Sequence, residues 1–171
     1  MEIVGKLCVL RPLRVDDDVS IASLGNNRNI WLNVTNHFPH PYTIEDARAF
    51  IARRLETPGP PRTLAITLQD TAVGVIDVDL KSDVYCRTAV AGYWLGEPYW
   101  GRGIVTEALR LITNYAFQTF EIDRIEASVF AWNAASARVL EKAGYTLEGR
   151  HRKASFKDGK VTDDLVYAVV R

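Results

Sequence analysis

Two glycines placed two apart, Gly101 and Gly103, stand where a strand and a short loop give way to a long helix in GYWLGEPYWGRGIVTEALRLITNYA. A helix start leaves backbone N–H groups unpaired and carries the positive end of the helix dipole, so it can seat an anion. Glycine there permits positive φ and lets a phosphate approach the main chain. The segment Trp100–Val105 therefore reads either as a pyrophosphate cradle or as a plain strand–turn–helix junction. A second helix start lies at Asn133, a good N-cap residue. Both follow strand-like segments, Arg87–Leu95 and Arg124–Phe130. If those strands are neighbours, one site could hold a long phosphorylated cofactor. GRGIVT lacks the third glycine of a dinucleotide fingerprint, and no phosphate loop ending in Lys-Ser or Lys-Thr is present.

The elements that must position these groups follow from periodicity and punctuation. Ile3–Arg11 reads as a first strand, stopped by Pro12. Asp16-Asp17-Asp18 opens a helix through Leu24. Arg28–Tyr42 is aromatic, polar and irregular, with Pro39 and Pro41 marking a loop. Thr43 caps a helix over Ile44–Glu56 whose apolar face is Ala47, Phe50, Ile51 and Leu55. Arg62–Leu68 and Val73–Leu80 form a hairpin, and Arg87–Leu95 is a further strand. Gly101–Phe120 carries apolar residues at spacings of three and four and is a long helix. Arg124–Phe130 is a strand, Asn133–Ala143 a helix stopped by Gly144, and Tyr145–Ser155 and Val161–Val170 a final hairpin. Strands and helices do not alternate strictly. The expected architecture is α/β (α+β): one domain over residues 1–171, a mixed sheet with helices on both faces.

Composition narrows the class. Lys plus Arg equals Asp plus Glu at 21 each, and no basic run appears, which argues against a nucleic-acid binder. No apolar run is long enough to span a membrane, and the first residues do not read as a signal peptide. Cys8 and Cys86 are then expected as reduced thiols in a cytoplasmic protein, with no metal-site spacing. The C-terminal strands could pair two copies into a homodimer.

Three stretches in order, GYWLGEPYWGRGIVTEAL, RIEASVFAWNAASARVLEKAGY and EGRHRKASFKDGKVTDDLVYAVVR, resemble the GCN5-related N-acetyltransferase (GNAT) superfamily. Within it they are similar to the branch of the ribosomal-protein alanine acetyltransferases. LRPLRVDDD and HPYTIEDARAFI fit that branch too, so the likeness spans nearly the whole chain. It implies a strongly twisted, mostly antiparallel sheet splayed between the family's fourth and fifth strands, here Arg87–Leu95 and Arg124–Phe130. It implies acetyl-CoA as cofactor and acyl donor, an amine acceptor as partner, and no metal. The pantetheine arm would pair with the edge Tyr93, Trp94, Leu95 and Gly96. The pyrophosphate would sit on Trp100, Gly101, Arg102, Gly103, Ile104 and Val105, and Asn133 would contact the cofactor. Three positions depart from the common pattern: Trp100 for Gln or Arg, Val105 for Gly or Ala, and Leu140 for the tyrosine that often protonates the leaving thiolate.

The implied chemistry is direct attack of a primary amine on the thioester, with no covalent acyl-enzyme because no Cys–His pair is suggested. Ser136 is then the expected proton donor to the thiolate, as well as a cofactor contact. Glu126 leads the candidates for general base, ahead of Glu97, Asp77, Asp79 and the Pro-flanked His37 and His40. Trp31, Phe38 and Tyr42 either shape the acceptor pocket or belong to the core.

Overall fold

The computed structural model describes residues 1–171. Eight strands form one sheet: β1 (Ile3–Val4), β2 (Val9–Pro12), β3 (Thr63–Leu68), β4 (Thr71–Leu80), β5 (Thr88–Leu95), β6 (Arg124–Phe130), β7 (Thr146–Lys157) and β8 (Lys160–Val170). The helices are α1 (Asp18–Gly25), α2 (Arg28–Trp31), α3 (Ile44–Leu55), α4 (Ile104–Thr119) and α5 (Ala134–Lys142). Strand order is β1-β2-β3-β4-β5-β6-β8-β7. Every pairing is antiparallel except that of β5 with β6. This is the mixed, mostly antiparallel sheet expected from the sequence.

The parallel pair is short. β5 and β6 meet only through Thr88↔Arg124, Ala89↔Ile125 and Val90↔Glu126. Beyond Val90, β5 stays with β4 up to Leu95, while β6 stays with β8 up to Phe130. The two strands therefore part into a V, and one edge of β5 is left without a strand partner.

The expected first strand is in fact two, β1 and β2, folded against each other. The cause lies far along the chain. The backbone N–H groups of Lys6, Leu7 and Cys8 donate to the Glu107 carboxylate of α4 at 2.9, 2.7 and 3.0 Å. That carboxylate gathers the residues into a turn. Glu107 thus faces the β1–β2 turn as well as the α4 N-terminus, where its charge also suits the dipole. Other local rules act as written. Asp46 N–H donates to Thr43 Oγ1 (3.2 Å) and Thr43 N–H to Asp46 Oδ2 (2.8 Å), a reciprocal capping box that fixes the start of α3.

Helices cover both faces. On one face α4 and α5 bury Ile104, Ala108, Leu109, Ile112, Ala137 and Leu140 against Ile76, Val78, Ile125 and Tyr167 of the sheet. On the other, α1 and α3 bury Ile21, Ala22, Ala47 and Ile51 against Ala65 and Val75, with Trp94 at the margin. Under the second face Arg11 and Asp17, 3 % and 5 % exposed, form a two-pronged ion pair. No helix is long and apolar enough to cross a membrane. The edge strand β7 is interrupted by a bulge between His151 and Ser155, where Lys153 has φ 53°. A bulge with exposed Arg150, Arg152 and Lys153 works against a second chain adding to that edge.

The two thiols differ sharply. Cys8 is buried, and burial together with the neighbouring Glu107 pushes it up to about 12. Cys86 is exposed. Thiolate, not thiol, reacts. A thiol-titrating disulfide reagent is therefore expected to find one of the two cysteines in the native protein and both only after denaturation. Two fast equivalents in the native state would contradict the placement of Cys8.

Candidate active site

At the mouth of the V, Gly101 has φ 74° and Gly103 has φ 78° with ψ 0°. Both are left-handed, a region L side chains avoid. Gly103 is the N-cap of α4, and its carbonyl accepts the first helical bond from Glu107 N–H (3.1 Å). The N–H groups of Ile104, Val105 and Thr106 belong to the first turn and have no intrahelical partners. A Cβ on Gly101 would meet nothing within 4 Å, and one on Gly103 would meet only Leu7 Cδ1 at 3.4 Å. Space lies open above the loop, and glycine is required for the backbone path that aims the donors into it.

These donors open onto a cavity of about 340 Å³. Tyr93, Trp94, Leu95, all of Trp100–Val105, Asn133 and Ser136 line it, so the structure brings the sequence-derived candidates to one place. Gly96 is the exception. It is buried behind the wall, and its N–H donates to Val73 O (2.8 Å). Trp100 does more than occupy its position: its indole Nε1 donates to the Leu95 carbonyl (2.7 Å), taking one acceptor near the end of β5.

The cavity rim is cationic. Arg102, Arg138 and Lys142 all line it, with Arg102 also stacked over Tyr99 (5.7 Å). Arg138 and Lys142 went unnoticed in the sequence, although their spacing of four on the helix after Asn133 puts them on one side of α5. Backbone donors plus three cations suit a ligand carrying several phosphates.

Deeper in the wall, two hydroxyls meet. Asn133 Oδ1 accepts from Ser136 N–H (3.2 Å), which fixes the first turn of α5. Ser136 Oγ then lies 2.7 Å from the Tyr93 hydroxyl of β5. Burial pushes the Tyr93 phenol up to about 12, with the Ser136 bond pulling the other way, so it stays protonated at neutral pH. Leu140, where a tyrosine was absent, is fully buried in the core. The sequence contained Tyr93 only as strand edge; its hydroxyl role depends on a partner 43 residues away.

The candidate bases are mostly committed elsewhere. Glu126 does not line the cavity. Burial alone would raise its carboxyl, but Lys81 and Arg124 outweigh that and hold it below the usual range. An anion so paired is a poor proton acceptor, and the structure removes Glu126 from that role. Glu97 accepts from the Asn27 and Asn29 side-chain amides (2.6 and 3.1 Å), tying the segment after α1 to the loop after β5. Asp77 and Asp79 share Arg54, at 3.1 and 3.0 Å. Burial, with Asp79 beside it, pushes Asp77 up to about 7 although Arg54 pulls the other way. Asp77 Oδ1 sits over Gly92, where a Cβ would stand 2.7 Å from it. His37 and His40 are exposed.

Arg28–Tyr42, expected as an irregular segment with a loop at Pro39 and Pro41, begins with the short helix α2, capped by Asn27 Oδ1 on Asn29 and Ile30 N–H. This segment is a strap. Asn29, Ile30, Asn33 and Val34 line the cavity; Trp31, Phe38 and Tyr42, the expected acceptor-pocket aromatics, do not. Tyr42 is buried at 6 % and stacks on Phe38 (4.7 Å), which abuts Trp94 (5.6 Å): these two are core. Trp31 lies under the Lys157 ammonium (3.9 Å). Lys157 also donates to Asn36 Oδ1 (2.9 Å), and Arg28 pairs with Asp158 (2.6 Å). Trp132 Nε1 donates to Asn33 Oδ1 (3.0 Å). The strap is thus fastened to the tip of the β7–β8 hairpin and to the end of β6.

Residues 8–146 match the family model described as an acetyltransferase (GNAT) domain. The chain is 34% identical over 172 residues to a probable N-acetyltransferase, YjcK, of Bacillus subtilis, covering 97% of this chain and 95% of the relative. It is 28% identical over 141 residues to the ribosomal-protein-serine acetyltransferase of Escherichia coli, covering 81% and 78%. Its fold superposes with a TM-score of 0.88 on RimL, a ribosomal L7/L12 alpha-N-protein acetyltransferase solved with coenzyme A, at 21% identity over 99% of this chain and 98% of that one.

Proposed function

Because the chain belongs to the GNAT acetyltransferase family, and is thus an N-acetyltransferase that draws on acetyl-CoA, we propose that it passes the acetyl group directly to a primary amine held in the same complex. The observation that carries this reading is the Tyr93–Ser136 hydroxyl pair on the wall of the cavity between β5 and the starts of α4 and α5. The backbone donors after Gly103, with Arg102, Arg138 and Lys142, hold the phosphates. The open edge of β5 receives the pantetheine arm, and its free N–H groups offer donors to the developing oxyanion.

In the reaction the amine nitrogen bonds to the acyl carbon and the carbon–sulfur bond breaks. Ser136 gives its proton to the departing sulfur and takes one from Tyr93, which burial favours in the neutral form, and the proton shed by the attacking nitrogen passes to water, from which the phenol is restored. The relay stands in for the tyrosine that Leu140 replaces. The acceptor nitrogen must lose a proton before attack. An α-amine has an unperturbed pKa of about 8, so a fair fraction is neutral near physiological pH without a strong base. Holding both partners in line supplies much of the remaining rate. A polypeptide N-terminus and a small primary amine both supply such a nitrogen.

Release of CoA, read with a thiol reagent against a panel of short peptides and small amines, tests the reading. Acetyl-CoA binding without turnover on any of them would favour a non-catalytic binding module, the reading that Leu140 otherwise suggests. Ser136→Ala is expected to lower kcat by about 100-fold, the usual scale for lost acid catalysis, with little change in acetyl-CoA affinity. Tyr93→Phe should lower kcat in the native background and add little to Ser136→Ala, because the relay acts through Ser136. Equal losses in both backgrounds would separate Tyr93 from the proton path.

A further inference from the structure

The loop before α4 turns on two left-handed glycines, and open space lies above both. Glycine restrains a chain less than any other residue, so a loop built this way needs a brace from outside itself to aim the N–H groups that follow. One turn into α4 stands Glu107, which does not line the cavity. Its Oε1 accepts from Lys6 N–H, and its Oε2 from the N–H groups of Leu7 and Cys8, all in the turn between β1 and β2. The Cys8 thiol adds a further hold on the same helix turn: Sγ lies 3.6 Å from Glu107 Oε2 and 4.0 Å from the Ile104 carbonyl. Gly5 lets the turn come this close, since a Cβ there would overlap Glu107 Oε2 and stand 2.9 Å from Leu111 Cδ1. The same turn carries Leu7, whose Cδ1 is the one atom a Cβ on Gly103 would meet, at 3.4 Å. The β1–β2 turn is therefore bolted to α4 through Glu107 and set beside the glycine that starts the helix.

The bolt also resolves a conflict of charge. The N-terminal field of a helix favours a carboxylate as much as a phosphate, and a free carboxylate so near would compete with the ligand or repel it. Three N–H donors from the β1–β2 turn draw the Glu107 charge to themselves and leave the first-turn donors of α4 to the cavity. Burial pulls the Glu107 carboxyl up, but the N–H groups of Leu7, Lys6 and Cys8 outweigh it and hold the group below the usual range.

We propose that Glu107 is a positioning residue for the acyl donor: by clamping the β1–β2 turn it braces the glycine loop and fixes the direction in which the first turn of α4 presents its N–H groups to the diphosphate. Residues 5–8, none of which lines the cavity, then belong to the cofactor apparatus.

The inference rests on the acetyl-CoA reading above. Calorimetric titration with coenzyme A, far below the thermal transition, tests it, because a purely structural loss lowers Tm and leaves the affinity of folded molecules unchanged. Glu107→Gln keeps the shape but turns an amide NH2 toward N–H donors, and coenzyme A affinity should fall about tenfold, the scale of one lost hydrogen bond. Gly5→Ala leaves every charge in place and should weaken binding similarly, because the carboxylate can clear the new Cβ only by leaving its donors. Both substitutions open one clamp, so their losses should not add in the double variant. Leu7→Ala, at a half-exposed position, should weaken binding by a smaller factor with native Tm. With saturating acetyl-CoA and an amine that the native protein accepts, kcat of Glu107→Gln should stay within about twofold of native, the mark of lost binding rather than lost chemistry. Native coenzyme A affinity in Glu107→Gln or in Gly5→Ala, or additive losses in the double variant, overturns the proposal. Failure of the native protein to bind coenzyme A at all would instead remove the reading on which it stands, and the proposal with it.

Discussion

Replacing Gly103 with valine is expected to abolish acetyl-CoA binding while leaving the protein folded. At φ 78° a β-branched side chain costs on the order of 1–2 kcal/mol. The backbone can escape that cost only by rotating, and rotation turns the first-turn N–H groups away from the cavity. The added side chain also projects toward Leu7, whose Cδ1 a Cβ would already touch at 3.4 Å. Thermal denaturation should show a loss of only a few degrees, since about 1 kcal/mol shifts Tm by roughly 2–4 °C in a chain of this size. Calorimetric titration should show affinity for acetyl-CoA falling by about 100-fold or more, equivalent to about 2.7 kcal/mol. Gly101→Ala is the control: it meets the same kind of backbone strain with nothing within 4 Å to strike. Native affinity in the Gly103→Val protein would mean that this loop does not carry the phosphates.

The largest stability loss is expected from Asp17→Asn. Arg11 spreads its guanidinium over both Asp17 oxygens (2.9 and 2.7 Å), the Asp70 carboxylate (3.0 Å), and the carbonyls of Pro12 and Asp70 (3.0 and 2.9 Å). Asp17 Oδ2 also takes the Arg14 N–H (2.8 Å). Neutralising Asp17 strands a buried guanidinium with only the exposed Asp70 as counter-charge. Removing one partner of a buried pair typically costs about 3–5 kcal/mol. Urea unfolding should register this as a lower midpoint with an unchanged slope. A loss below about 1 kcal/mol would show that water or Asp70 replaces Asp17 freely. The pair holds the turn between β2 and α1 and lies away from the cavity, so acetyl-CoA affinity should stay within experimental error of the native protein.

Much of the cofactor side could be read from the sequence because its signals are local. Two glycines at a helix start, an Asn at N-cap and the periodicity of α4 each act within one turn of chain, and the V between β5 and β6 followed from the resemblance those stretches carry. What the sequence concealed depends on partners far apart. The break between β1 and β2 is dictated by a carboxylate about a hundred positions away, and no local rule announces it. Glu126 looked free because β6 borders the V; Lys81 reaches it from the end of β4. Ser136 was expected as the proton donor from the resemblance, but the Tyr93 hydroxyl that meets it, 43 positions away, could not be read until the fold brought the two together. The aromatics of the strap were ambiguous for a further reason. Composition cannot say which side of a loop faces the core, and Phe38 and Tyr42 turned inward to Trp94.

The fastening of the strap has a consequence for how the protein is made. Arg28 and Asp158 are 130 positions apart, and Asn36 and Lys157 are 121. During vectorial synthesis the glycine loop and the starts of α4 and α5 are all made well before the hairpin tip that fastens the strap. The strap stays unfastened until the hairpin tip has been translated and has folded back over a segment made at the outset. A stalled or prematurely released chain would thus own the glycine loop and both helix starts but not the fastened strap, and that fastening could form only after synthesis had passed residue 158.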